Sequence, residues 1–193
     1  MPWDASYSDG PAPWDIGRPQ ASIVRVASQG GFAGEVLDVG CGIGENTLHV
    51  ASQGLSALGV DVAETALQMA RKKAASLGVK AEFVTADALH LDRLGRKFQT
   101  VLDCALFHTF SSEERPEYVA SLASVTQKDG TLYLLCFSAE DPVTGPHPVR
   151  QEELRAAFEP TFGWNVIVLG PDLIHTRYHT YGVPAWFAKI RRV

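Results

Sequence analysis

Apolar positions along the chain keep two rhythms in turn, and their alternation predicts a repeated strand–helix order. Glu35–Val39 is a short run of β-branched and leucine residues, the pattern of a buried strand. Ser56–Val60, Ala81–Thr85, Thr100–Cys104 and Gly130–Phe137 follow as four more. Between the second and third, Ala63–Leu77 carries Ala66, Leu67, Ala70, Ala74 and Leu77 on one helical stripe, and Gly78 closes it. Asn46–Gln53 predicts a shorter helix stopping at Gly54, and Glu113–Thr126 another with Ser111 or Ser112 as its cap. Such units demand right-handed crossovers, hence an α/β fold with a mainly parallel, doubly wound sheet and helices on both faces.

The two ends depart from that rhythm. Residues 1–18, rich in Pro, Gly, Trp and Asp, lack periodicity and read as an ordered arm or lid; a helix from about Pro19 to Gln29 follows. At the other end a helix over Gln151–Phe158 precedes two strands, Trp164–Leu169 and Ala185–Arg191. About a dozen residues separate these strands, more than a tight hairpin uses. The intervening segment Gly170–Pro184 holds His175, Tyr178, His179 and Tyr181, a polar-aromatic stretch suited to the border of a pocket. No repeat or linker divides the chain. It reads as one domain over 1–193: arm and first helix in 1–30, core in 34–137, and 138–193 completing the sheet.

Composition narrows the partners more than the fold. Of 193 residues, 46% are hydrophobic and 20% charged, ordinary values for a globular chain. A formal net charge of −5, with only short basic groups such as Arg71-Lys72-Lys73 and Arg191-Arg192, leaves no cationic footprint for nucleic acid. The three cysteines, Cys41, Cys104 and Cys136, sit in apolar runs with neither a Cys-x-x-Cys pair nor zinc spacing, and a reducing cytoplasm fits them. No basic, apolar leader opens the chain, and no stretch approaches the roughly 20 apolar residues of a membrane span. The expectation is a cytoplasmic protein with no metal, no membrane and a small-molecule partner.

The strongest chemistry lies in Glu35-Val-Leu-Asp-Val-Gly-Cys-Gly-Ile-Gly44, a glycine-rich turn that ends a strand and opens a helix. Glycines at 40, 42 and 44 let the backbone turn sharply and a ligand come close. The spacing is GxGxG, and Glu45 occupies the last glycine position of the dinucleotide fingerprint. A carboxylate there opposes a pyrophosphate at the helix N-terminus, but not a phosphate-free ligand with a cationic centre. Asp61, at the end of the second strand, is placed to accept ribose hydroxyls. Asp87 closes the third strand and is placed for an adenine amino group; Asp38, within the first strand, can orient the turn or meet an ammonium. Each acid alone is more often a helix cap than a ligand contact, but together they stand at successive strand ends.

Val36–Ala51 resembles the first motif of class I S-adenosylmethionine-dependent methyltransferases, and Gly59-Val60-Asp61 and Ala86-Asp87-Ala88 are similar to the next two. The resemblance covers about Gly34–Phe137 and the tail's strand pattern. It implies a Rossmann-like seven-stranded sheet with one antiparallel strand. It also implies S-adenosylmethionine as cofactor and S-adenosylhomocysteine as product. Gly40, Cys41, Gly42 and Gly44 would line the methionine part, Asp61 and Val62 the ribose, Asp87 and Ala88 the adenine, with Cys104 beside the methionine end. Trp3-Asp-x-x-Tyr7, Pro13-Trp14-Asp-Ile-Gly-Arg-Pro-Gln20 and Leu106-Phe-His-Thr-Phe110 resemble the thiopurine and thiol methyltransferase branch. They also resemble bacterial relatives that detoxify small heterocycles such as hydroxyquinolones.

On that resemblance Tyr7, Trp14, Phe107 and Phe110 would wall a flat acceptor, Trp3 and Trp14 would close over the cofactor, and Arg18 would pair with an anionic oxygen. His108 is the best-placed general base, an ordinary imidazole titrating at about 6.5, although a low-pKa hydroxyl or thiol needs no base. The fifth strand ends in Cys136-Phe137-Ser138, without the Asp-Asn pair that binds magnesium in catechol-type enzymes. Two alternatives use the same sheet. A nicotinamide-dependent oxidoreductase is disfavoured by Glu45 and by the lack of a Tyr-x-x-x-Lys pair; the other is a non-catalytic S-adenosylmethionine sensor.

Overall fold

All four residues of β1 (Val36–Val39) are buried, as a central strand packed on both faces requires. The computed structural model, which describes residues 2–8, 10–140 and 146–193, places β1 inside a seven-stranded sheet. The others are β2 (Ala57–Asp61), β3 (Glu82–Thr85), β4 (Phe98–Cys104), β5 (Thr126–Phe137), β6 (Trp164–Ile174) and β7 (Val183–Arg192), in the order β3-β2-β1-β4-β5-β7-β6. Only β7 opposes its neighbours, pairing antiparallel with both β5 and β6. This is the Rossmann-like sheet with one antiparallel strand that the sequence led us to expect.

The pleat of β1 sorts the helices. Val36 packs with Ile23 and Val26 of α2 (Ala21–Ser28) and Val50 of α3 (Glu45–Ser52). Leu37 and Val39 face the other way, onto Tyr118, Val119 and Leu122 of α5 (Arg115–Val125) and Leu154 of α6 (Gln151–Ala157). Leu67 and Ala70 of α4 (Glu64–Leu77) pack with Leu48 and Phe83. The chain runs outward from β1 to β3, then returns to place β4 on β1's other side. Crossovers that diverge this way leave a crevice at the carboxyl ends of β1 and β4.

Several boundaries differ from the sequence expectation for identifiable reasons. β6 and β7 extend towards each other until Ile174 pairs with Val183, leaving only 175–182 as their connection. Polar residues on an edge strand had masked that length. Asp129 adopts a left-handed φ of 61°, and regular pairing of β5 with β4 resumes only at Thr131. The residues after Asp87 fold as 3-10 turns over Ala88–Leu94 that no apolar period announces. The arm begins with the single turn α1 (Pro2–Ala5), held where Asp4 accepts from Thr65 N at 2.9 Å and Thr65 Oγ1 at 3.0 Å. Neither Ser111 nor Ser112 is the N-cap of α5, a position taken by Glu114; Ser111 closes the preceding turn, where it and Glu114 accept each other's backbone N–H. Among the described residues no helix is long and apolar enough to cross a membrane.

Gly44 heads α3 at a left-handed φ of 81°, and a β-carbon there would lie 2.8 Å from Phe83 and 3.0 Å from Ala70. The missing side chain is what lets the turn seat against α4 and β3. Gly44→Ala is expected to lower the unfolding free energy by about 1–3 kcal/mol, measured as a fall in the urea midpoint at constant slope. An unchanged midpoint would show that the turn relaxes freely.

Candidate active site

Four amides of the turn after β1 have partners within the protein. Gly40 N and Cys41 N both donate to Val60 O, at 2.8 and 3.0 Å, and Gly44 N donates to Cys41 O at 2.9 Å. Gly42 N donates to Asp61 Oδ2 at 2.8 Å, while Asp61 Oδ1 accepts from Ala63 N at 2.9 Å. A pyrophosphate site needs such amides free. Gly42 sits at φ 53°, and a β-carbon on it would stand 3.1 Å from Tyr7 Oη. Its absence keeps a space between the turn and the arm.

That space belongs to a cavity of about 400 Å³ at the carboxyl ends of the strands. Of the residues expected on the cofactor side, Gly40, Cys41, Gly42, Asp61, Val62, Ala88, Cys104 and Trp14 line it; on the acceptor side Tyr7, Arg18 and His108 do. The structure does not bring the others to the wall. Asp38 is buried beneath the turn, accepting from Thr47 Oγ1 at 2.5 Å. Burial pushes its pKa up to about 7, against the pull of Thr47. Gly44 faces Phe83 as described. Asp87 is half-exposed and caps Leu89 N at 3.0 Å, so it serves its own turn first.

Phe107 and Phe110 are core residues, a correction to the aromatic wall drawn from sequence. Leu106 leads into a 3-10 turn over Phe107–Thr109, which sends Phe107 inward between Phe158 and Tyr118, with ring centroids 5.7 and 6.3 Å away. Phe110 lies on Tyr118 at 4.5 Å. The same turn points His108 to the cavity. Tyr7 and Trp14 line the cavity with Trp3, and Phe137 and Tyr178 stand there in place of the two phenylalanines.

The roof comes from two segments far apart in sequence. Trp14 Nε1 donates to Tyr7 Oη at 3.0 Å, with Trp3 edge-on to Trp14 at 5.8 Å. Arg177, in the β6–β7 connection, donates to the arm through its backbone N to Pro13 O and its guanidinium to Pro11 O. Gln20 pairs with the backbone of His175 in both directions, at 2.8 and 3.0 Å, while its own N–H donates to Asn46 Oδ1. Thr176, Tyr178 and His179 of this connection reach the wall; Tyr181, 92% exposed, does not.

Charge on the wall is lopsided. Asp15, Glu45 and Asp61 line it, against the single guanidinium of Arg18. Glu45 is ion-paired with Lys73 of α4, so its own charge is partly answered. Asp15, which the sequence reading passed over, is raised to about 6 by burial and by Glu45 and Asp61, against the hydrogen bond from Ala12 N. Burial likewise raises the Tyr7 phenol. A cation in the cavity would relieve this crowding; a phosphate would worsen it.

His108 does not have a base's surroundings. Phe137 N–H donates to its Nδ1 at 3.2 Å, and its ring lies 4.1 Å from that of Phe137. Burial, then the charge of Arg115, depress its pKa to about 3.

A family of methyltransferase domains matches residues 36–130. A 2-heptyl-1-hydroxyquinolin-4(1H)-one methyltransferase of Mycobacteroides abscessus is 37% identical over 147 residues, 74% of this chain and 65% of that protein. The chain thus spans somewhat less than two thirds of that relative's length. An uncharacterized methyltransferase of Schizosaccharomyces pombe is 32% identical over 103 residues, 53% of this chain and 71% of its own. A solved structure concerned with the conversion of a disulfide bond into a thioacetal group during echinomycin biosynthesis superposes with a TM-score of 0.86. It is 33% identical and covers 98% of this chain and 91% of its own.

Asp15 keeps its proton to about pH 6 when folded and to 3.8 in its ordinary state. A raised carboxylate binds more protons folded than unfolded, so its share of stability is lost as pH rises through that window. Between about pH 4 and 7 the melting temperature of Asp15→Asn is expected to fall about 2–4 °C less than that of the parent protein. Parallel curves would show that Asp15 ionises as freely as in water.

Proposed function

We infer, because the chain belongs to the methyltransferase-domain family, that it binds S-adenosylmethionine in the cavity and methylates a small-molecule acceptor there. The observation that carries this reading is the turn itself: the amides of Gly40, Cys41, Gly42 and Gly44 are paired within the protein while three carboxylates face the space above it. That donor set fits a phosphate-free nucleoside with a cationic tail, and the gap that a Gly42 β-carbon would fill fits close backbone approach. When bound, the cofactor supplies a methyl carbon already activated by its sulfonium.

The chain's own residues then have separable tasks. Asp61, held by two backbone amides, keeps a lone pair on each oxygen for the ribose hydroxyls. Val62, Ala86 and Ala88 offer an apolar seat for the adenine ring, and Asp15 and Glu45 favour the cationic end. Trp3, Trp14 and Tyr7 close the roof and exclude water. Phe137, Leu106 and Tyr178 offer a flat, apolar surface to the acceptor, whose alignment is most of what the protein must provide. The hydroxyquinolone acceptor of the mycobacterial relative supports an aromatic heterocycle as one class to try.

Calorimetric titration tests the cofactor: S-adenosylmethionine and S-adenosylhomocysteine are expected to bind and NAD not to. NAD binding without adenosyl-ligand binding would refute the reading. Asp61→Ala is expected to weaken cofactor binding by about 1–3 kcal/mol in a folded variant. Transfer of labelled methyl to at least one of a set of thiols, phenols and hydroxyquinolones is expected, and failure with all of them would favour a cofactor-binding sensor.

A further inference from the structure

Resting on the methyl-transfer reading, we propose that His108 donates a hydrogen bond from Nε2–H to the acceptor's reacting atom, and that the site thereby selects acceptors arriving as anions. Thiolates, acidic phenolates and ionised N-hydroxy groups belong to that class; alkylamines do not.

The backbone fixes which ring nitrogen carries the proton. Phe137 N–H can only donate, and it donates to Nδ1. A proton on Nδ1 would set two donors against each other, so the neutral ring carries its hydrogen on Nε2. Accepting a second proton is opposed from each side. His108 is 3% exposed, its ring packs on that of Phe137, and its cationic form meets the charges of Arg115 on α5 and His147 before α6. Arg115 is itself fixed nearby by donating to His147 O at 2.8 Å. The ring is therefore a neutral donor and not a proton sink.

Leu106, Phe137, Ile174 and Val183 are fellow wall residues, with the guanidinium of Arg18 as a further donor on the same cavity, and such a wall suits an atom that brings its own lone pairs and charge. Transfer to such an atom balances without a proton. The acceptor's pair forms the new bond to carbon, the pair of the broken carbon–sulfur bond stays on sulfur, and the acceptor's negative charge and the sulfonium's positive charge cancel. A protonated amine would first have to lose a proton, which His108 cannot take. The hydrogen bond is strongest while the acceptor holds its full charge, so its loss registers in KM more than in kcat.

Two measurements decide the matter. Ring nitrogen–proton NMR correlations on histidine-labelled, unliganded protein, with His108 assigned by difference against His108→Gln, are expected to show Nε2 protonated and unchanged between about pH 5 and pH 8. A proton on Nδ1, or a titration midpoint in that range, overturns the proposal whatever the protein's function. For a series of arylthiols, nitrophenols and amines, kcat/KM is expected to break at each acceptor's own pKa, with amines inert. His108→Leu should raise KM for the anionic acceptors roughly 10- to 100-fold at similar kcat, and His108→Gln, which keeps a donor, should recover most of it.

One break shared by all acceptors, equal turnover of amines, or no transfer to any anionic acceptor by protein that binds the cofactor refutes the assignment. A shared break near pH 6 that disappears in Asp15→Asn would move the proton to Asp15. Failure to bind the cofactor at all would refute the methyl-transfer reading instead.

Discussion

The carboxylate of Asp61 holds two backbone amides, Gly42 on the turn after β1 and Ala63 at the head of α4, and so fixes two neighbouring strand ends relative to each other. Both hydrogen bonds go to a charged acceptor, the stronger kind. They are only possible because β1 and β2 run parallel in register, with Val39 opposite Val60. The sheet's topology thus places an acid where it can clamp a turn, and the clamped turn gives the cavity its floor. What sits above the floor meets carboxylate and apolar surface.

This arrangement concentrates negative charge. Asp38, Asp61 and Asp103 stand towards the ends of three adjacent strands, β1, β2 and β4, and the last two add to the burial that raises the proton affinity of Asp38. Asp103 is nonetheless well partnered: Tyr118 Oη donates to it at 2.8 Å, and Leu106 N and Phe107 N at 3.0 and 3.2 Å. Those bonds hold the 3-10 turn that faces His108 to the cavity. The acid under the turn and the acid beside it therefore shape two different walls, one for each end of the space.

The floor was legible in the sequence in detail, the roof only in outline. Strand periodicity and the glycine spacing depend on residues adjacent in the chain, so β1, the turn and Asp61 could be placed from local pattern alone. Asp15 acquires its character from burial and then from Glu45 and Asp61, which no local pattern marks; the polar-aromatic stretch 170–184 did point to a pocket border, but which of its residues reach the wall is settled only when β6 and β7 pair. The Pro13–Gln20 stretch was noticed, yet Gln20's bond to a backbone 155 positions away leaves no trace in composition. Phe107 and His108 show the opposite failure. The sequence put both on the acceptor side; a 3-10 turn sends Phe107 into the core and leaves His108 on the cavity lining.

The clasp at Gln20 has a kinetic consequence. Its side-chain amide bonds His175 as one strand bonds another, its backbone holds Asn46, and Arg177 fastens the arm from the opposite segment. A roof latched at both ends has to be released as a unit. Ligand traffic through it then depends on how often several hydrogen bonds break together, a gate whose opening frequency is written in the latch and not in the chemistry beneath it.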